Sequence, residues 1–412
     1  MSKKIFSNIN RNKHTMSLFD LATSPQKASD FAKQMRIQEF KSDGGNLTGN
    51  LKFRFTASEN QHWIPSASYI LMKFAIGKGG AGTTALVAAD AVNLAQNPGA
   101  CAVSAAPVLH TINGINVGTA SMPAQSAQVL DRMFMSNEVR NTVGDIKNLT
   151  ASRTDNLIGT TLHTCFIPPL GLWYYGGAIP GGNHQLQFTM SSNLIQDMVK
   201  SNDVGAGTGR STSGLTFNLV DISLFAAFAQ PQADLKPPST VMLNLTECQT
   251  QTAHHSVNGS ATVSVSQPAS TKKVAIATQR SDLSNAAAGG ASTFTGLSIT
   301  SGPSCEAFGQ TSPTTLYSEA DHHRKYTDLY LNSLMSGRSV YSTLVEWATE
   351  PVTLHPFAKS SDSVDTNMLI RFTGDGATTP SNILISSIYD SMVVLSYGGD
   401  GQVTGVQYSV VS

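Results

Sequence analysis

The residues best suited by type and spacing to do chemistry lie in Ile76–Gln96, IGKGGAGTTALVAADAVNLAQ, which follows the apolar run YILMKFA. Glycines in such a loop let a backbone approach phosphate oxygens, and amide N–H groups opening a helix receive the negative charge. The chemistry also needs a lysine that reaches the β/γ-phosphates, set directly before the hydroxyl residue that holds magnesium in GxxxxGK[ST]. Here the order is Gly82, Thr83, Thr84, and that lysine is missing. Lys78 in KGGAG matches the first lysine of the variant loop KGGxGK[ST], but the second, reactive lysine has no counterpart. Val220–Asp221 is a faint candidate for the strand-end carboxylate that would complete a magnesium site. The stretch therefore reads as a glycine-rich loop between a strand and an Ala-rich helix or turn.

Other constellations carry less. His254–His255 and His322–His323 are adjacent pairs; neighbours in a strand point to opposite faces, so neither pair chelates one ion there. Asp321–Tyr326, DHHRKY, offers Arg324 and Lys325 to a phosphate or carboxylate but reads as a solvated charged loop. Asp362 and Asp365 lack the dense Asp/Asn/Gly/Glu ladder of a calcium loop. There is no GxSxG elbow, HExxH pair or catalytic-cysteine signature. Trp173, Tyr174 and Tyr175 could stack on a sugar, although a Pro-flanked strand burying alternate aromatics explains them as well. Cys101, Cys165, Cys248 and Cys305 are widely spaced without a CxxC and read as buried free thiols. Sequons at Asn46, Asn148, Asn244 and Asn258 arise readily in a chain rich in Asn, Ser and Thr. The expectation is no catalytic, cofactor-binding or metal-binding residue, and a structural protein rather than an enzyme.

Composition points the same way. The 412 residues carry 27 basic and 27 acidic side chains, a net charge of zero, unlike a surface built to neutralise nucleic acid. Only 13% of residues are charged, against about 25% in ordinary soluble domains. Low charge with abundant small polar residues suits a protein that buries much of its exterior against copies of itself, or one that lives outside the cell. No run approaches the ~20 apolar residues that span a bilayer. The N-terminus, MSKKIFSNINRNKHTMSLFDL, has basic residues but no apolar core segment or cleavage site of a secretory signal.

Residues 1–45 read as a polar arm with a short amphipathic stretch near Phe31–Phe40. From Leu47 onward short alternating segments begin: in NLKFRFTA, Leu51, Phe53 and Phe55 share one face and Lys52 and Arg54 the other. ASYILMKFAI, TLHTCFIP, GLWYYG, HQLQFTM and LTFNLVDISLFAAFA follow, bounded by Gly, Pro, Asn and Ser, the grammar of an antiparallel sandwich or barrel. Ser126–Val139 alone has helical spacing. Pro231, Pro237 and Pro238 interrupt pairing and mark the best boundary. Strand grammar then resumes, from TVMLNLTE through STLVEWA and VTLHPFA to VTGVQYSVVS. The halves also rhyme: Pro168–Met190 and Glu350–Gly374 each read as a proline, an apolar strand, a polar loop and a second strand ending in Phe and Thr.

FIPPLGLWYYGGAIPGGNHQLQFTM, the join LVDISLFAAFAQPQADLKPPSTVM, and STLVEWATEPVTLHPFAKSSDSVDTNMLIRFT leading to IYDSMVVLSYGGDGQVTGV together resemble the double jelly-roll major capsid proteins of tailless icosahedral double-stranded DNA viruses, nearest the polinton-like virus and virophage branch. The resemblance implies an all-β fold of two tandem antiparallel eight-stranded jelly rolls with short helices in loops: an N-terminal arm over 1–45, a first roll over 46–232 and a second over 233–412. It implies a homotrimer forming a pseudo-hexameric capsomer of a self-assembling icosahedral virion shell, put together inside the host cell without a cofactor. The implied partners are neighbouring capsomers, penton and minor capsid proteins, and an inner membrane reached by the arm, with no sequence-specific nucleic acid binding. Two rival readings are a single jelly-roll capsid protein with a projecting β-domain and a carbohydrate-binding β-sandwich adhesin using Trp173–Tyr175.

Overall fold

The computed structural model describes residues 35–58, 61–79, 84–87, 92–94, 98–104, 108–120, 162–167, 177–201, 214–230, 239–255, 259–266, 271–280, 299–307, 310–312, 352–356, 367–374 and 381–410. The first half contributes β1 (Met35–Lys41), β2 (Asn50–Ala57), β3 (His62–Lys78), β4 (Val92–Leu94), β5 (Val108–Ile112), β6 (Ile115–Ala120), β7 (Leu162–Ile167), β8 (Gly182–Thr189), β9 (Val199–Ser201) and β10 (Leu215–Ala229). Two sheets of order β1-β10-β3-β7 and β2-β8-β5-β6 result, with β4-β9 as a small separate pair. The second half contributes β11 (Thr240–His255), β12 (Gly259–Ser266), β13 (Thr271–Arg280), β14 (Ile299–Ala307), β15 (Gln310–Ser312), β16 (Val352–Pro356), β17 (Asn367–Gly374), β18 (Ser381–Tyr397) and β19 (Val403–Val410). Its sheets run β11-β18-β13-β16, with β19 beside β18, and β12-β17-β14-β15. Counting the eight main strands of each half in chain order, the first sheet reads 1-8-3-6 and the second 2-7-4-5 in both halves. Each half is thus a jelly roll, and the repeat sensed in the sequence is a repeat of topology.

The strand grammar is period-two burial. In β2, Leu51, Phe53, Phe55 and Ala57 point inward while Arg54 and Thr56 face water, and Phe53 pairs with Leu186 of β8 and Leu51 with Phe188. Their aromatic partners meet across the pair, with the Phe53 and Phe188 ring centroids 5.9 Å apart. Two short helices, α1 (Pro98–Cys101) and α2 (Leu194–Met198), are present among the described residues. The first lies so close to β7 that a Cβ on Gly99 would stand 1.9 Å from the Phe166 carbonyl oxygen.

A proline inside β3 removes a ladder donor, since Pro65 has no N–H. The pairing with β10 shifts register there, between Phe225↔Tyr69 and Ala227↔Ile64. Ser68 repairs the break: its hydroxyl donates to the Ile64 carbonyl at 2.8 Å and accepts from the Trp63 indole at 3.0 Å and from the Ala227 amide at 3.0 Å.

Beneath that bulge sits a group that sequence reasoning left out. His62, His110 and His184 are buried in the first core. The His184 ring stacks on Phe55 at 4.9 Å, and Trp63 lies against both His110 and His184. His184 Nε2 lies 3.3 Å from the Gly181 carbonyl and His184 Nδ1 lies 3.4 Å from His110 Nε2. One tautomer set satisfies both contacts: each Nε2 carries its proton and donates. Burial holds His184 down at about 4, against the carbonyl hydrogen bond. Burial and the neighbouring His184 hold His110 well below the ordinary imidazole range.

The two jelly rolls meet where the β5–β6 hairpin touches β19. Asn113, with φ of 50°, and Gly114 make the two-residue turn. The Asn113 side chain accepts from the Asn183 amide at 2.8 Å and donates to the Val403 carbonyl at 2.9 Å. Gly182, at φ +103°, leaves no room for a side chain: a Cβ would lie 3.0 Å from Ile112 and 3.6 Å from Val403.

The first sheet begins at Met35, because β1 pairs with β10 from Met35↔Ala229 to Lys41↔Ser223. The arm expected over 1–45 therefore loses its last part to the sandwich, and the stretch read as amphipathic ends in a strand. The expected division at 232/233 falls within 231–238, outside the described residues, as do the helix expected over Ser126–Val139 and the strands expected at GLWYYG and STLVEWA. The rhyme is half right: its second strands, β8 and β17, are both seventh in their rolls, but β16 answers to β7, which ends at Ile167 before the quoted block begins.

Two outcomes test this core. Ser68→Ala orphans two donors and an acceptor, and denaturant unfolding should show a loss of about 1–3 kcal/mol. His110 and His184, depressed below the unfolded value of 6.5, contribute stability that is whole above that value and is lost as pH falls toward about 4 for His184. Their imidazole NMR signals should not titrate between about pH 7 and pH 5.5, whereas titration near the ordinary value would refute their burial as neutral rings.

Candidate assembly surfaces

The described ends of the glycine-rich stretch are tied into the first sheet. Lys78 ends β3, its amide donates to the Thr84 carbonyl at 2.8 Å and the Thr84 amide returns to the Lys78 carbonyl at 3.3 Å. The Gly79 carbonyl accepts from the Thr216 hydroxyl at 2.6 Å, which ties the loop to β10. Residues 84–87, the described ones that follow, are not helical. Asp221 pairs in register with Lys73, five residues along β3 from Lys78, about 17 Å away by strand rise. It is instead bound to Lys41, 2.7 Å from the carboxylate.

His254 and His255 stand in regular register at the end of β11, opposite Asn382 and Ser381. His322–His323, Asp321–Tyr326, Asp362, Asp365 and Trp173–Tyr175 lie outside the described residues. Cys101, Cys165 and Cys248 are buried free thiols, with burial raising Cys165 further. Among the described residues no three His, Cys, Asp or Glu side chains form a group able to hold a metal, and no helix is long and apolar enough to cross a membrane.

What the geometry does gather is an apolar sheet face. Residues paired with one another share a face, so Tyr69, Phe225 and Glu39 align across β3, β10 and β1, and Leu71, Phe166 and Lys41 align one step along. The core-facing residues between them, Ile70, Met72 and Leu224, are buried, which puts this second set on the outer side. Tyr69 stacks on Phe225 at 5.0 Å and meets Phe166 edge-on at 5.4 Å. Ile37 at 48% and Leu162 at 57% exposure extend the patch to the two edge strands. Aromatic rings held rigidly against one another make contact area at little entropic cost.

Lys41, Glu39 and Asp221 on this face are already paired. The Lys41 ammonium lies 2.7 Å from both Glu39 and Asp221, and the Ser223 hydroxyl donates to Glu39 at 2.8 Å. Exposed pairs of this kind add little to the stability of the lone chain. One lysine against two carboxylates leaves the trio at net −1, so a partner covering the face meets a partly neutralised cluster rather than separate charges. The patch is hidden in the sequence because apolar residues fill both faces of these strands, so YILMKFAI and ISLFAAFA read as continuous apolar runs.

The sequence matches no known protein-family model and no curated protein. Solved structures do resemble it. A chain of the Sputnik virophage structure aligns with TM-score 0.66 at 13% identity, covering 92% of this chain and 88% of that one. The mavirus major capsid protein aligns with TM-score 0.56 at 10% identity over 92% and 90%. The Faustovirus major capsid protein does so at 0.56 and 11% over 87% and 90%. With the same strand order in both halves, these likenesses make the chain a double jelly roll, the fold it shares with those capsid proteins.

Proposed function

We propose that the chain is a major capsid protein, a structural subunit without catalytic activity that trimerises into a pseudo-hexameric capsomer and self-assembles into an icosahedral virion shell. The observation that carries this reading is the identical 1-8-3-6 and 2-7-4-5 order in the two halves: three such chains around an axis present six similar lobes, a near-hexagon suited to tiling. The likeness to major capsid proteins of mavirus and Faustovirus supports it. So does a chain with 13% charged residues, whose surfaces cost little to desolvate in an obligate interface of roughly 2,000 Å² or more.

The occupant of the Tyr69–Phe225 face, in this reading, is a second copy of the chain. The face continues to β1, which among the described residues pairs only with β10, so its free edge and the exposed Ile37 belong to one contact surface. The N-terminal arm, in this reading, ties neighbouring subunits, penton and minor proteins or an inner membrane to the shell. A chain of zero net charge does not condense a genome unaided.

Sedimentation of the purified protein tests this. The wild type should run as a trimer, and Tyr69→Asp combined with Ile37→Asp should run as a monomer that keeps the β-type circular-dichroism spectrum of the wild type, because both side chains point away from the core, while its melting point falls with the loss of the interface. A double variant that still trimerises removes this face from the contact; a wild type that stays monomeric at shell-forming concentrations removes the capsid reading itself.

A further inference from the structure

We propose that Glu247 is a proton-operated latch on the seam between the two jelly rolls, one that tightens as the medium becomes acidic. Glu247 lies in the middle of β11 and is 4% exposed. Its Oε1 accepts from the Ser391 hydroxyl at 2.7 Å, and its Oε2 accepts from the hydroxyls of Tyr389 at 3.0 Å and Tyr408 at 2.9 Å. Strands β11, β18 and β19 thus converge on one carboxylate. The first jelly roll closes over it: a Cβ on Gly118 of β6 would stand 3.9 Å from Oε1.

Among the described residues Glu247 has no ion-pair partner. None of β6, β11, β18 and β19 contains a lysine or arginine. The ionisable groups facing Glu247 are Tyr389 from β18 and Tyr408 from β19; β6 brings none, and Asp390 sits one residue along on the opposite face of β18. Three neutral hydroxyl donors satisfy the oxygens, but they replace hydration less well than a cation would. Burial accordingly raises the Glu247 carboxyl above its ordinary range, with the three hydrogen bonds pulling the other way. Both tyrosines are pushed up by burial and then by the Glu247 charge, so they remain donors.

The direction follows. In the unfolded chain the carboxyl titrates at its ordinary value of 4.5 and in the folded chain above it. Its ionised form therefore penalises folding at neutral pH, and the penalty disappears as pH falls through the folded value. The relief is felt where the carboxylate is desolvated, at the contact of β6 with β11 and β19. His110 and His184 act in the opposite sense as pH falls, so the latch is read as a difference between variants rather than in the raw stability profile.

The full chain is compared with Glu247→Gln, which keeps the shape and is neutral throughout, by amide-exchange protection of β6 and β19 at about pH 7.5 and about pH 5. Relative to the variant, wild-type protection should rise on acidification by up to about tenfold for each unit by which the folded pKa exceeds the ordinary one. Glu247→Gln should show the tighter, acid-like seam already at the higher pH. Tyr408→Phe removes one donor to the carboxylate and should move the wild-type rise to higher pH. An identical pH response in wild type and Glu247→Gln, a seam loosened by the Gln variant at both pH values, or an unshifted response in Tyr408→Phe would overturn the proposal.

Discussion

The burial of β18 on both faces is the constraint on which the rest of the molecule depends. Residues Ile383–Tyr389 are buried one after another, which a strand achieves only when material covers each side of its sheet. β18 pairs with β11 along its whole length, with β13 over its first half and with β19 over its second. One strand therefore joins the second sandwich to the C-terminal strand, and through Val403 and Asn113 to the first roll. The two halves share one apolar cluster, in which Leu51 and Phe188 of the first occur with Leu243, Val393 and Val403 of the second. The likeness of the two lobes is thereby fixed within a single chain rather than left to assembly.

That arrangement divides the polar groups by task. Buried histidines lie among the aromatic rings of the first core as neutral donors and acceptors, and their hydrogen bonds stay inside one roll. Glu247 sits where the rolls meet and gathers hydroxyls from two neighbouring strands. The exposed cluster of Lys41, Glu39 and Asp221 lies on the outer face, paired and still wet. Buried polar groups with complete partners specify a unique packing, and each of these clusters sits at a different level of organisation: core, seam, and outer surface.

Much of the fold was legible in the alternation. β2 and β8 appear in the sequence as short half-buried strands because one of their faces is buried and the other is not. β1 was not, since its exposed Met35, Arg36, Ile37, Gln38 and Glu39 show no alternation; its place is set by pairing with β10, a contact across nearly two hundred residues that no local pattern encodes. β5 and β6 carried a readable sign that went unused, the Asn113–Gly114 dipeptide of a two-residue hairpin. The glycine loop raised the question of a phosphate cradle because such loops are built from glycine, and the missing lysine was enough to set that reading aside. Glu247 was invisible as a site because a single Glu in TVMLNLTECQTQT has nothing around it in sequence; Tyr389, Ser391 and Tyr408 reach it only through strand register.

The central claim is that two like lobes in one chain exist to build a six-lobed particle from three copies. Electron imaging of the purified full-length protein, with its mass measured on the same sample, tests this most directly. The account predicts particles of three times 43.6 kDa with pseudo-hexagonal outlines, in which the Tyr69–Phe225 face is covered by a neighbouring copy. A stable two-lobed monomer across the micromolar range would contradict it.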